Sequence, residues 1–235
     1  MEDLTLAEQT YSAIRKDIIS GDLEAGQLLR LEYLKKRYGI SFSPIREALN
    51  RLHSERLVEL LSSRGFRVVP FSIKEMWDVI ETRILIDSEA VRKSLEKADD
   101  EWETKLIASF HALRLSSIRA AELDPAAATY EDEIVQARHL DFHRTILIAC
   151  DSPWLLELSG MLYAQTERYR RPVLRGSIHR DRASRVNEEH VQIFDAAVAR
   201  DAQLTVALLA RHYRATGRMI QEVTERNRSA TTPRT

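Results

Sequence analysis

The stretch Gly39-Ile40-Ser41-Phe42-Ser43-Pro44-Ile45-Arg46-Glu47-Ala48-Leu49-Asn50-Arg51-Leu52 decides the fold of the N-terminal part of this chain. It reads as a tight turn followed by a helix with one apolar face. Ser43 is placed as the N-cap and Pro44 as the first helical residue, where a missing N–H costs nothing. Ile45, Ala48, Leu49 and Leu52 recur at i, i+3, i+4, i+7 and form one buried stripe. Ser43, Arg46, Asn50 and Arg51 point away from it. A polar, cationic helix start behind a glycine turn is what a recognition helix needs to enter the major groove of DNA.

On the N-terminal side, Leu28, Leu31, Leu34 and Tyr38 place an apolar stripe on a short helix that ends at Gly39, a left-handed C-cap. Two short helices joined by a glycine turn make a helix-turn-helix. On the C-terminal side, Leu57-Val58-Glu59-Leu60-Leu61 and Phe66-Arg67-Val68-Val69 read as strands joined by the polar turn Ser62-Ser63-Arg64-Gly65. A hairpin in that place is a wing, and Arg64 and Arg67 put positive charge at its tip. The same geometry also fits a small helical unit that binds nothing, and charge decides between them. Between Arg30 and Arg67 stand nine basic and four acidic residues, in a chain whose net charge is -1. The basic excess is local and marks a nucleic-acid face.

A chain of 235 residues with 44% hydrophobic content can build one large or two modest cores. The near-zero net charge excludes a globally basic nucleic-acid coat protein. The one cysteine, Cys150, excludes a disulfide framework and a cysteine-rich zinc site, and its apolar surroundings predict burial. No apolar run approaches the ~18 residues of a membrane span. The start Met-Glu-Asp-Leu-Thr lacks the basic and apolar regions of a signal peptide, so a soluble, cytoplasmic protein is expected.

Beyond Pro70 the pattern becomes helical. Ser72 can cap a helix from Ile73 to about Lys97, with Met76, Val79, Ile80, Arg83, Ile84, Ile86 and Ala90 on its inner face. Further helices are expected over about 100–123, 130–149, 153–170, 182–200 and 201–226, the third of these opened by Ser152-Pro153 and the last capped by Asp201. The predicted fold is mostly α: a winged helix-turn-helix over 7–70, an antiparallel bundle of about six helices over 71–228, and a loose tail over 229–235. Arg168, Arg170 and Arg171 are expected on a solvated face.

Of the seven histidines, His139 and His143 stand at i and i+4 and share a helix face. His190 and His212 fall mid-way along the next-to-last and last helices. Imidazoles from three bundle helices can converge on a metal, although each taken alone also fits a surface or hydrogen-bonded core position. Asp141 lies about 200° round the helix from the His139–His143 face and cannot easily join it.

The chain resembles known families over most of its length. Ile18-Ile19-Ser20-Gly21-Asp22-Leu23 with Ala25-Gly26, Leu34, Gly39-Ile40-Ser41, Ser43-Pro44-Ile45-Arg46-Glu47-Ala48-Leu49, Arg51-Leu52 and Arg64-Gly65 resemble the winged helix of GntR-type bacterial transcription regulators. That family usually has Arg where Phe42 stands, often Pro at Ala25, and usually Gly at Arg56. The resemblance implies a DNA-facing set of Arg30, Ser41, Phe42, Ser43, Arg46, Asn50, Arg51, Arg64 and Gly65. It also implies a homodimer reading the palindromic half-sites of a double-stranded operator.

Arg83 with Ile86-Asp87, Asp141-Phe142-His143, Glu189-His190 with Ile193 and Ala196, and Asp201 followed by His212 resemble the effector domain of the FadR-like subfamily, the FCD domain. Six helices match its VanR-like branch. Such domains often hold a divalent metal on three histidines and one aspartate, beside a small organic acid. The histidines carry over onto His143, His190 and His212. The aspartate position is held by His139, which implies a four-histidine site or an altered one. Four neutral imidazoles suit Zn²⁺, Ni²⁺ or Cu²⁺ better than Mg²⁺ or Ca²⁺. Zinc is expected, with nickel or manganese as alternatives. Neutral ligands leave the ion's charge uncancelled, so an anionic effector would complete the coordination. Arg83 either faces that effector or makes a salt bridge between helices.

The reading is therefore a repressor controlled by a carboxylate. Two others compete: a metal-dependent enzyme on a helical scaffold, and a DNA-binding dimer without metal or effector. The enzyme reading leaves the wing unexplained and finds no carboxylate at His-Glu-x-x-His spacing to act as a base.

Overall fold

The computed structural model describes residues 5–62, 65–122, 129–174 and 179–231. The chain divides into two compact units. The first holds the winged helix, the start of α4 and the second half of α7. The second holds the rest of the helical region.

In the first unit, α1 (Leu6–Ser20) opens on a capping box. The Glu8 amide donates to the Thr5 hydroxyl at 3.2 Å and the Thr5 amide donates to the Glu8 carboxylate at 2.8 Å, which satisfies two otherwise orphaned N–H groups. Then follow β1 (Leu28–Leu29), α2 (Leu31–Tyr38), α3 (Phe42–Ser54), β2 (Val58–Leu61) and β3 (Gly65–Val68). The sheet order is β1-β3-β2, antiparallel throughout, with Val58 opposite Val68 and Leu28 opposite Arg67. Ile14, Ile18, Leu29, Leu34, Ile45 and Leu49 fill one core between helices and sheet. A buried Leu or Ile contributes about 1.5–3 kcal/mol, so this cluster holds the small unit together.

Two expectations change here. Leu28 belongs to a strand, not to the α2 stripe, because β3 offers Arg67 as its partner. And α3 begins two residues earlier than expected, with Ser41 rather than Ser43 as the N-cap residue. Pro44 becomes the third helical residue. It still lies among the first amides, which have no intrahelical acceptor, so it costs nothing there.

The second half of α7 (Pro153–Leu174) packs within this same unit. Arg168 is 4% exposed, contrary to the solvated face expected for it. Its guanidinium donates to the carbonyl of Val69 at 3.0 Å, the carbonyl of Pro70 at 3.4 Å and the hydroxyl of Tyr169 at 2.7 Å. Val69 and Pro70 leave the sheet, so their carbonyls need other donors, and a planar five-donor group supplies them. Gln165 donates to the Glu55 carbonyl at the end of α3, at 2.6 Å. Tyr169 donates onward to Glu75 at 3.0 Å, and burial raises its hydroxyl pKa above the ordinary value. Arg170 pairs with Glu167 of its own helix at 2.6 Å.

The remaining elements are α4 (Ile73–Lys97), α5 (Asp100–Glu122), α6 (Thr129–Leu147), a single 3-10 turn (Ile148–Cys150), α8 (His179–Val198) and α9 (Ala202–Thr231). Four starts carry side-chain caps: Ser72, Asp99, Ser152 and Asp201 accept from Glu75, Trp102, Leu155 and Leu204 amides. Asp124-Pro125, expected to end α5, lies outside the described residues. Helix α9 continues to Thr231, so the expected loose tail is helical up to that residue. Cys150 is buried. Among the described residues no helix is long and apolar enough to cross a membrane.

Candidate functional site

Two sites emerge, one in each unit. The first is the outer face of α3. Arg30, Ser41, Ser43, Arg46, Asn50 and Arg51 are exposed, while Ile45, Ala48, Leu49 and Leu52 are buried, as the apolar stripe requires. Phe42 is half-buried under the Lys35 ammonium, 4.8 Å from its ring centre. Arg46 has no ion-pair partner among the described residues. Arg51 differs: its guanidinium lies 3.8 Å over the Tyr11 ring and 3.9 Å from Glu55. It braces α3 against α1 as well as facing outward. Tyr11 also donates to Glu55, and burial with that carboxylate pushes its hydroxyl up to about 12.

Gly65 opens β3 at φ 81, a left-handed conformation that favours glycine and lets the hairpin turn. Arg64 lies outside the described residues. Arg67 does not charge the wing tip as expected. It sits directly across from Glu59 and pairs with it at 2.6 Å.

The second site lies in the bundle. His139 and His143 from α6, His190 from α8 and His212 from α9 come together, with ligand nitrogens all within 4.8 Å of one another. His143, His190 and His212 are buried and His139 is partly exposed. The Nε2 atoms of His139 and His143 are 3.1 Å apart. Two nitrogens each about 2.0–2.1 Å from one ion stand roughly 3.0–3.4 Å apart, so this spacing fits a shared metal. Packing four imidazoles in an apolar bundle otherwise buries polar nitrogens at a cost. The donor set therefore fits a divalent transition metal.

A carboxylate that the sequence did not single out for this purpose completes the arrangement. Glu189 on α8 lies 2.6 Å from Nδ1 of His212. It leaves Nε2 of that ring for the centre, as carboxylate partners of metal-binding histidines do. The only signal in the sequence was the adjacency Glu189-His190. Asp141 is exposed, as its position round the helix required.

Arg83 is 4% exposed on α4 and pairs with Asp87 of the same helix at 3.1 Å. It also donates to the Tyr213 hydroxyl at 3.0 Å, and its guanidinium lies 4.0 Å over that ring. Tyr213 donates to the same Asp87 oxygen at 2.9 Å. The Tyr213 ring stands 5.8 Å from both His143 and His212. The salt bridge of Arg83 is thus within α4, and its link to another helix is through Tyr213.

Residues 6–68 match the family described as bacterial regulatory proteins, gntR family, and residues 78–215 match the FCD domain. The chain belongs to the GntR family. It is a DNA-binding transcription regulator with an FCD domain, not an enzyme. It is 40% identical over 208 residues to the uncharacterized HTH-type transcriptional regulator BphR of Paraburkholderia xenovorans (strain LB400), spanning 88% of this chain and 82% of that one. It is 31% identical to the HTH-type transcriptional repressor GlaR of Escherichia coli (strain K12), over 86% of this chain and 90% of the relative. Among solved structures, E. coli McbR/YncC superposes with a TM-score of 0.77 at 19% identity, covering 94% of this chain and 99% of that one, and shares the fold.

Proposed function

We propose that this regulator is a homodimeric, cytoplasmic repressor whose operator binding is set by a small organic acid at a metal in the FCD domain. The observation that carries the proposal is the cluster of His139, His143, His190 and His212. These residues would hold one divalent ion, zinc in preference to nickel or manganese. When bound, the ion supplies a positive charge that four neutral ligands do not cancel, and a carboxylate answers it. Arg83 belongs to the effector side of the site, where it and Asp87 hold Tyr213, whose ring stands beside those of His143 and His212. One relative, 28% identical over 142 residues, is the gluconate operon transcriptional repressor of Bacillus subtilis (strain 168), and a role in organic-acid metabolism agrees with that name.

The operator would be a palindrome. A single winged helix buries a small area, so two copies are needed for tight, specific binding. Arg46 and Asn50 would read base edges, and Phe42 offers an apolar contact of the kind that meets a thymine methyl. Arg30, Ser41, Ser43, Arg51, Arg64 and Gly65 would hold the phosphates and the wing. The test is binding of the full chain to its own promoter DNA, with zinc-loaded and metal-stripped protein and a panel of organic acids. Release by an acid from the zinc-loaded form supports the proposal. Equal operator affinity under every condition contradicts it.

A further inference from the structure

The helical unit contains a cavity of about 300 Å³ between α5 and α8. That is the lower end of the usual range for small-molecule pockets, roughly 300–1,000 Å³. Its walls are apolar: Phe110 and Leu113 from α5 form the inner part, and the exposed side chains of Ile118 from α5 and Val191 from α8 form the rim. His190 of the metal cluster also lines it. Phe110 stacks on Phe194 with ring centres 4.2 Å apart and an interplanar angle of 10°, and stands 5.6 Å from Phe142. Phe142 in turn lies 5.5 Å from His190. The side of the cavity nearest the cluster is therefore backed by a packed aromatic layer.

The polar lining is sparse. Apart from His190 it consists of Arg114, Asn187 and Glu188, of which Arg114 and Glu188 are exposed and Asn187 is half-buried. Among the described lining residues, none but His190 offers a buried polar side chain. A ligand carrying several hydroxyl groups would find partners for them only at the rim, at Arg114, Asn187 and Glu188, and each hydroxyl left unpaired against the apolar wall is costly. A hydrocarbon body would be stabilised by the same walls.

We infer that this cavity is the effector's second subsite, and that the effector is a monocarboxylate with an alkyl or aryl body. Its carboxylate lies toward His190 and the metal, and its body lies along Phe110, Leu113, Ile118 and Val191. The inference rests on the four-histidine metal reading and narrows it to a ligand class.

Hexanoate and gluconate separate the alternatives, since they match in carbon count and charge and differ in hydroxyl groups. Each is titrated calorimetrically into the full-length, zinc-loaded protein. Hexanoate is expected to bind tighter by at least about tenfold, the cost of one unpaired buried hydroxyl. Val191 is 37% exposed, so Val191→Asp is tolerated by the fold. It places a carboxylate on the wall and should weaken hexanoate by about tenfold or more while zinc content and melting temperature stay unchanged. Equal or tighter binding of gluconate overturns the inference, and so does hexanoate binding that ignores Val191→Asp. Conversion of a dimer to a monomer by Val191→Asp, read by sedimentation, also overturns it, because a second copy would then cover the cavity. Zinc is measured on the same samples. Failure to take up zinc, nickel or manganese contradicts the four-histidine reading and this inference with it, whereas metal uptake with a preference for gluconate overturns the apolar subsite alone.

Discussion

The Glu189 carboxylate lies 2.6 Å from Nδ1 of His212, so Nε2 is the ring nitrogen that stays available to a metal. Glu189 and His212 come from different helices, α8 and α9, so the contact fixes both the ring orientation and its tautomer. Losing such a partner typically costs about 10–100-fold in metal affinity. Glu189→Gln keeps an acceptor and should lie near the lower figure, and Glu189→Ala near the upper. Competition against a chromophoric chelator measures this. Wild-type affinity in both variants would remove Glu189 from the account.

Arg46 and Arg51 share the outer face of α3 but differ in what they touch. Arg46→Ala should weaken specific operator binding by about 1–3 kcal/mol and leave thermal stability unchanged. Arg51→Ala should weaken binding and also lower stability, because it removes a cation from the Tyr11 ring, worth about 0.5–1 kcal/mol at an exposed site. Fluorescence anisotropy over a salt series, with melting curves alongside, separates the two. Unchanged DNA affinity in both variants would show that this face does not meet DNA.

Arg168 supports the winged helix without facing DNA. Arg168→Met keeps much of the volume and removes every donor, which leaves the Val69 and Pro70 carbonyls unpaired. A fully buried acceptor left unpaired costs about 1–3 kcal/mol, and these two are only partly buried. Urea denaturation should therefore show a loss of about 1 kcal/mol, at the lower end of that range. A loss below about 0.5 kcal/mol, the level of an ordinary surface substitution, would contradict the role given to Arg168.

Arg56 follows α3 with φ 57, in the left-handed region. Its amide donates to the His53 carbonyl at 3.0 Å, and the Leu57 amide donates to that of Leu52 at 3.0 Å, a helix end normally closed by glycine. A side chain there costs about 1–2 kcal/mol, partly offset by the greater unfolded freedom of glycine. Arg56→Gly should stabilise the protein by about 0.5–1 kcal/mol, read as a higher urea midpoint. A lower midpoint would mean that the Arg56 side chain contributes more than the strain it brings.

Much of this architecture is legible from local pattern. Helix α4 runs from Ile73 to Lys97, as its apolar period and the Ser72 cap predict, because both signals lie within the helix itself. The i, i+4 pair His139 and His143 is visible for the same reason. What escapes a local reading depends on partners distant in the chain. Strand β1 is two residues long and is defined by its register with Arg67 and Phe66. Arg168 reads as a surface cation until the carbonyls of Val69 and Pro70 appear beside it. Glu189 acquires its meaning from His212, and Arg67 loses its place at the wing tip to Glu59.

Metal content of the full-length protein, purified without chelator and without a nickel column, tests the central claim most directly. The account predicts one divalent transition metal per chain, lost in His190→Ala while the winged helix stays folded. Chelation should then lower the melting temperature, since an ion joining three helices stabilises the folded state by mass action. Metal well below one equivalent, with no uptake of added Zn²⁺, Ni²⁺ or Mn²⁺, would show that His139, His143, His190 and His212 are only packed side chains.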